Sequence, residues 1–186
     1  FEFFNFPLIA GSASDVLRGP NKIVITERAA RRLFDYQGPG DTRPLGKMLV
    51  LGSKGETTAM VTGIAADPPA RSSIQFDMVM SLMTWKDGLR NAIWLNSNVQ
   101  TFFKLREGAS LSSVDDKYKV FIEKYCGQEL ERFLNTTLAQ FLGQGGQLGY
   151  SSQALLDIHL KSHYEDELEP GGNIQYVYLF GAVAVF

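Results

Sequence analysis

The chain has 186 residues, of which 45% are apolar and 20% charged, and its formal net charge is −2. This length suits one domain, or one domain of two lobes, and the apolar content with 13 Phe, 7 Tyr and 2 Trp excludes intrinsic disorder. The near-neutral charge argues against a general nucleic-acid binder. The single cysteine, Cys126, excludes an internal disulfide framework and any multi-cysteine metal site.

The first half of the chain predicts several strands and one helix. A β-branched run predicts a strand over Lys22–Thr26, and Thr26 can then cap a helix over residues 27–35. One face of this helix carries Ala29, Ala30, Leu33 and Phe34, and the other carries Arg28, Arg31 and Arg32. A short strand or packed lead-in is expected over residues 1–9 and a helical turn over 14–18. Further strands are predicted over 47–51, 57–65, 75–80 and 98–106, with a hairpin turn at 52–55.

The second half predicts two amphipathic helices and one strand. Ser110, Ser112 and Ser113 are candidate N-caps of the first helix, whose apolar positions follow a 3–4 spacing from Leu111 to Tyr125. The second helix is predicted over residues 129–142 and ends in the Gly-rich segment 143–146. Strand character follows over 150–160. The pattern predicts an α+β fold in which strands outnumber helices.

The segment 174–186 is apolar and carries no charge. We expect a helix that begins near Asn173 and has apolar side chains on all sides. One interpretation is a buried core element. The other is the first part of a membrane-spanning helix, with Tyr176 and Tyr178 at the membrane interface, since 13 residues are too few to cross a bilayer. Because residue 1 is Phe and no basic-then-apolar leader precedes it, we expect the chain to be a piece of a longer protein.

Several local patterns suggest chemistry, and each has a simpler explanation. The arginines of the first helix indicate a solvated face rather than an anion site. The segment 52–58 lacks the residue order of a phosphate loop, and 143–149 follows a predicted helix rather than a strand, so it is not a dinucleotide fingerprint.

The remaining candidates are equally weak. His159 and His163, near Asp157 and Glu165, have a spacing that also arises by chance, so no metal site is predicted. Cys126 is interpreted as a semi-buried filler rather than a nucleophile. A glycosylation sequon begins at Asn135 but falls inside the predicted second helix. We therefore predict no catalytic, cofactor-binding or metal-binding residue, and substrate or partner contacts stay unassigned.

Seven segments of the chain carry a resemblance to a known family. They are the runs at 3–11 (FFNFPLIAG), 20–34 (PNKIVITERAARRLF), 44–47 (PLGK), 61–69 (VTGIAADPP), 75–77 (QFD), 156–162 (LDIHLKS) and 174–180 (IQYVYLF). Taken together and in this order, they resemble the MacB-like periplasmic core domain of FtsX-type ABC transporter permeases, although no single segment is specific. The resemblance covers nearly the whole chain and is weakest over residues 127–153.

The resemblance implies a non-catalytic domain on the periplasmic side of the inner membrane, with a porter-like and a sabre-like lobe. It implies an extracytoplasmic domain over residues 1–173, with lobe boundaries near 81–98 and 143–150, and the start of a transmembrane helix over 174–186. The implied partners are a cytoplasmic ABC ATPase subunit and a second permease protomer, with a periplasmic adaptor or substrate as further candidates and no nucleic acid. The implied role is transmission of ATP-driven conformational change across the membrane, without a cofactor.

Two alternatives stay open at this point. The chain could be a free-standing envelope binding or sensor domain whose apolar end is a core element. An enzyme would require a pocket that unites His159 or His163 with acidic groups at hydrogen-bonding distance.

Overall fold

The computed structural model describes residues 1–52, 57–86, 93–96, 99–161 and 171–185. The chain divides into two compact units, Phe1–Arg90 and Asn91–Phe186. Within the described residues, the first unit holds a five-stranded mixed sheet and one α-helix, and the second is built from helices. The α+β class is confirmed. The expectation that strands outnumber helices is wrong for the described part of the chain.

The sheet of the first unit is organised around its longest strand. Its strands are β1 (Leu8–Ala10), β2 (Lys22–Thr26), β3 (Met48–Leu51), β4 (Thr57–Ala65) and β5 (Met78–Met80). The order is β1-β4-β2-β5, and β3 pairs with β4; the β2–β4 pair is parallel and the other pairs are antiparallel. The predicted bounds of β2 and β4 are confirmed. β3 and β5 are shorter than predicted.

One face of the sheet is covered by helix α1 (Glu27–Phe34), which follows β2 directly. The Thr26 hydroxyl accepts a hydrogen bond from the Ala29 N–H at 3.2 Å, which confirms the predicted N-cap. The predicted apolar face of α1 is only partly buried, because Leu33 is 42% exposed. The buried core on this side consists of Ile23, Ile25, Ala29, Ala30, Tyr36, Ala59, Val61 and Ile64.

The other face is covered near β1 by the turn that precedes β2. The Val16 N–H donates to the Ser12 carbonyl at 2.9 Å, which places a turn where one was predicted. Val16 packs with Val24 and Ala65, and Phe1, Leu8, Leu17 and Phe76 close around them. A Cβ at Gly63 would lie 2.8 Å from Val16 Cγ1, so the missing side chain leaves the space that Val16 fills.

A β-bulge at Gly46 begins the β3–β4 hairpin. The Gly46 N–H donates to the Val61 carbonyl at 2.8 Å, and the Val61 N–H donates to the Lys47 carbonyl at 2.8 Å. Gly46 and Lys47 therefore both lie opposite Val61, and Gly46 has φ +76°. This is the bulge type whose first residue is a left-handed glycine. The predicted turn at 52–55 lies outside the described residues except for Gly52.

The second unit contains helices α2 (Leu111–Phe121), α3 (Gly127–Leu134), α4 (Leu138–Gly143), α5 (Leu155–Lys161) and α6 (Ile174–Val185). A π-helical turn, Ile122–Cys126, joins α2 to α3. Ile122, Cys126 and Leu130 are buried at successive i, i+4 positions along this continuous helical path. The buried stripe predicted from Leu111 to Tyr125 is confirmed only in part. Ile122 is buried, its members within α2 are half-buried, and Tyr125 is 37% exposed.

The predicted single helix over 129–142 is wrong, because the chain breaks it into α3 and α4. Asn135 adopts a left-handed conformation, φ 51°, at the end of α3. Thr137 then begins α4 with a capping box: its hydroxyl accepts from the Gln140 N–H, and the Gln140 side chain accepts from the Thr137 N–H. Local capping therefore outweighs the continuous apolar periodicity. Phe133, Leu134 and Leu142 are exposed, although the amphipathic pattern of the predicted helix places them on its buried face.

Two predicted strands are also wrong. Residues 99–106 have no regular secondary structure, and most of their side chains are exposed, so they lack the buried face that stabilises a strand. The predicted strand over 150–160 is irregular up to Ala154 and then forms α5. Within α5 the Lys161 ammonium lies 2.8 Å from the Asp157 carboxylate at i, i+4, a pair that favours helix.

Candidate functional site

The arginines of α1 pair with two carboxylates of the first unit: Arg28 and Arg32 with Asp77, and Arg31 with Glu27 of the same helix. Arg28 donates to Asp77 Oδ1 through Nη2 at 2.6 Å and through Nε at 3.0 Å. Arg32 Nη2 lies 3.4 Å from Asp77 Oδ2, and Arg31 Nη2 lies 3.2 Å from Glu27 Oε1. The hydrogen bonds and charge of Arg28 lower the pKa of Asp77. The three arginine side chains stay 53–60% exposed, which agrees with the predicted solvated face. That this face is not an anion site stays a prediction.

Asp67 completes this contact between α1 and the segment that precedes β5. Its Oδ1 accepts the backbone N–H of Arg28 at 2.9 Å, which satisfies one of the free donors in the first turn of α1. The carboxylates of Asp67 and Asp77 thus fasten the helix to the connection between β4 and β5. From the sequence, Asp67 follows a predicted strand and Asp77 lies inside another. Neither is identified as a partner of Arg28, because they lie 39 and 49 positions away from it.

A further carboxylate, that of Asp41, organises the loop after α1. It accepts hydrogen bonds from the Gln37 N–H at 2.9 Å and the Arg43 N–H at 3.0 Å, and the Arg43 guanidinium lies 2.8 Å from it. These interactions, led by the Arg43 side chain, hold the pKa of Asp41 well below its usual range. The charge has a structural partner, so it marks an ordered loop.

Of the candidate metal-binding residues Asp157, His159, His163 and Glu165, the structure describes Asp157 and His159. His159 lies in α5, where its carbonyl accepts the Gly172 N–H at 2.5 Å, and neighbouring Asp157 pairs with Lys161. His163 and Glu165 lie outside the described residues. Over the part of the chain that the structure describes, no group of three or more His, Cys, Asp or Glu side chains could hold a metal ion.

Cys126 is more deeply buried than the predicted semi-buried filler, with no exposed surface. Burial raises the pKa of its thiol. The Tyr150 side chain interacts with this thiol, and its hydroxyl donates to the Trp94 carbonyl at 2.8 Å. Trp94, Phe121 and Tyr125 pack their rings together beside it. A protonated thiol in such surroundings is a weak nucleophile.

The glycine-rich segments and the sequon are positioned by helix ends and turns. The segment 143–149 begins at the last residue of α4, so it follows a helix, as predicted, and does not join a strand to a helix as a dinucleotide site requires. The sequon at Asn135 lies in the break between α3 and α4, so its predicted placement inside a helix is wrong. Its Thr137 hydroxyl is occupied as the cap of α4.

Exposed apolar surface is the feature that the sequence patterns did not reveal in the first unit. An open groove of about 320 Å³ lies between the hairpin and β5 and is lined by Ile23, Leu51, Gly52, Thr57, Met78, Met80 and Trp85. On the opposite face of the hairpin, Met48 and Val50 are 57% and 66% exposed, beside Met60. A continuous apolar run in an edge strand was the available signal for this surface.

Helix α6 confirms the predicted helix after Asn173. Ile174 is half-buried, and residues 175–184 are exposed on all sides of the helix. Asn173 Oδ1 accepts the Gln175 N–H at 2.8 Å at its start. The exposed large side chains are Tyr176, Val177, Tyr178, Leu179, Phe180 and Val183. Within the described residues, no helix combines the length and the apolar character that crossing a bilayer requires.

Comparison with known families decides the identity of the first 119 residues. They match the family model of the MacB-like periplasmic core domain, and this match spans well over half of the chain. The chain belongs to the MacB-like periplasmic core domain family. It is therefore a periplasmic domain of the kind carried by ABC transporter permeases, as the sequence resemblance indicated.

Two solved structures are also similar. One is a domain of a protein described as a permease, from Porphyromonas gingivalis, with 28% identity, a TM-score of 0.46 and coverage of 67% of this chain and 54% of that one. The other is the periplasmic region of MacB from Actinobacillus actinomycetemcomitans, with 13% identity, a TM-score of 0.42 and coverage of 67% and 52%. The chain thus spans about half the length of these solved chains. No curated protein matches it.

Proposed function

We propose that this domain transmits ATP-driven conformational change across the inner membrane, as the extracytoplasmic part of a permease subunit. Its partners would be a cytoplasmic ABC ATPase subunit and a second permease protomer, with a periplasmic adaptor or substrate at the outer surface. The observation that carries this proposal is the family match over residues 1–119. The domain itself is proposed to be non-catalytic and to need no cofactor.

The construction of the first unit supports a mechanical role. A lever must move as one body, so its helix and sheet need contacts that resist shear. Here α1 is packed on the sheet through Ala29 and Ala30, both fully buried. The ion pairs of Arg28 and Arg32 with Asp77 hold the same helix from the side. The buried packing of α1 on the sheet supports the proposed role, because it resists movement of the helix relative to the strands.

We also propose that α6 is the beginning of a membrane-spanning helix. Its sequence over 174–185 carries no charge, and residues 175–184 are exposed on all sides, which is unfavourable for a helix in water. Tyr176 and Tyr178 at its start have the amphipathic rings that favour the membrane interface. Residues 1–173 would then form the extracytoplasmic part, and lobe boundaries near 81–98 and 143–150 stay predictions.

Thiol labelling in cells that express the parent protein tests the proposed placement. Arg31→Cys puts a thiol at an exposed site on α1 and removes only a surface ion pair, which contributes little to stability. A maleimide that cannot cross the inner membrane should label this cysteine in cells with a permeable outer membrane. The unsubstituted protein is the matched control, because its buried Cys126 should stay unlabelled. Labelling that requires disruption of the inner membrane would contradict the proposal.

A free-standing envelope binding or sensor domain is the second candidate, and the apolar groove beside β5 is the observation that favours it. The parent reading frame separates the two candidates. A permease requires hydrophobic helices on both sides of this chain. A stop codon shortly after Phe186 would contradict the permease and leave the binding domain.

A further inference from the structure

We draw no further inference here: the strongest candidate, the apolar groove between β3 and β5 together with the exposed hairpin face at Met48, Val50 and Met60, carries nothing because nothing in the structure shows what covers it.

Discussion

Gly46 occupies a backbone conformation that residues with a Cβ adopt only at a cost. Its φ of +76° is required by the bulge that aligns β3 with β4, and a Cβ there would meet no atom within 4 Å. Gly46→Ala should therefore destabilise the protein through the backbone alone, by about 1–2 kcal/mol. Urea unfolding monitored by circular dichroism measures this change as a lower midpoint.

Gly127→Ala is the matched control, since it makes the same chemical change in a right-handed helical residue, φ −58° and ψ −44°. The nearest atom to its added Cβ lies 3.9 Å away, so no clash results. This variant should gain about 0.5–1 kcal/mol, because alanine favours helix over glycine. If both variants lost the same stability, the bulge would not be the cause of the effect at Gly46.

Asp41 should make stability depend on pH. Its pKa is lowered in the folded protein, so near pH 4 the unfolded chain binds more protons at this site than the folded chain does. The stabilisation is thus present above the unfolded-state pKa of about 4 and is lost as the pH falls below it. Asp41→Asn should lower the urea midpoint at pH 7. The difference in midpoint between this variant and the unsubstituted protein, called the gap below, should be smaller at pH 3. A gap that stays constant between these pH values would exclude this role.

Single residues were predictable from sequence where their partners are close along the chain. Thr26 could be identified as an N-cap because its hydroxyl accepts the N–H of Ala29, only three residues ahead. Asp77 was not identified as the partner of Arg28, because only the folded sheet brings residues 49 positions apart together. The burial of Cys126 was underestimated for the same reason, since Tyr150 and Trp94 come from distant segments.

Helix α1 begins where β2 ends, and Thr26 forms that boundary. Thr26→Val keeps the shape of the side chain and removes the oxygen that accepts the Ala29 N–H. It should cost about 1 kcal/mol or more, because this buried donor is then left unsatisfied. In native-state hydrogen exchange, the Ala29 amide should lose protection in Thr26→Val and keep it in Thr26→Ser, which retains the oxygen. Equal protection in the two variants would show that the cap does not hold the start of α1.

Helix α6 should be dispensable for the stability of the rest of the chain. A chain that ends at Gly172 should be more soluble, because it lacks the exposed apolar side chains of Val177, Leu179 and Phe180. Its melting temperature should stay close to that of the full chain. Differential scanning calorimetry and light scattering measure these two quantities. Loss of a cooperative transition on truncation would instead make α6 a core element and remove support for the membrane helix.

Whole elements followed from sequence where propensity and tertiary packing agree. The β-branched run of β2 is buried in the middle of the sheet, and its bounds were correct. The segments at 99–106 and 150–160 combine apolar and polar residues without a strong period. In the second of these segments, helix-favouring residues and the Asp157–Lys161 pair stabilise α5 instead of the predicted strand. The break at Asn135 was missed because a left-handed asparagine interrupts an otherwise helical pattern.

For the molecule as a whole, the sequence predicted the α+β class and the family, but not the apolar groove. That the domain is non-catalytic stays a prediction. The family could be recognised because short segments such as 61–69 and 75–77 follow one another along the chain in the family's order. The groove could not be predicted from the sequence, because Trp85 and strands from separate parts of the chain form it only after folding. Its lining residues are spread from position 23 to position 85 and form no motif in the sequence.

ATP-dependent movement of the domain in the intact transporter tests the central claim most directly. A spin label at Arg31→Cys in each protomer of the parent permease, with its ATPase in lipid nanodiscs, reports the distance between the two domains by pulsed electron resonance. Cys126 is buried, and its raised pKa should keep it unlabelled. The account predicts a different distance distribution in the nucleotide-free and the vanadate-trapped states. Identical distributions in a complex that hydrolyses ATP would contradict it.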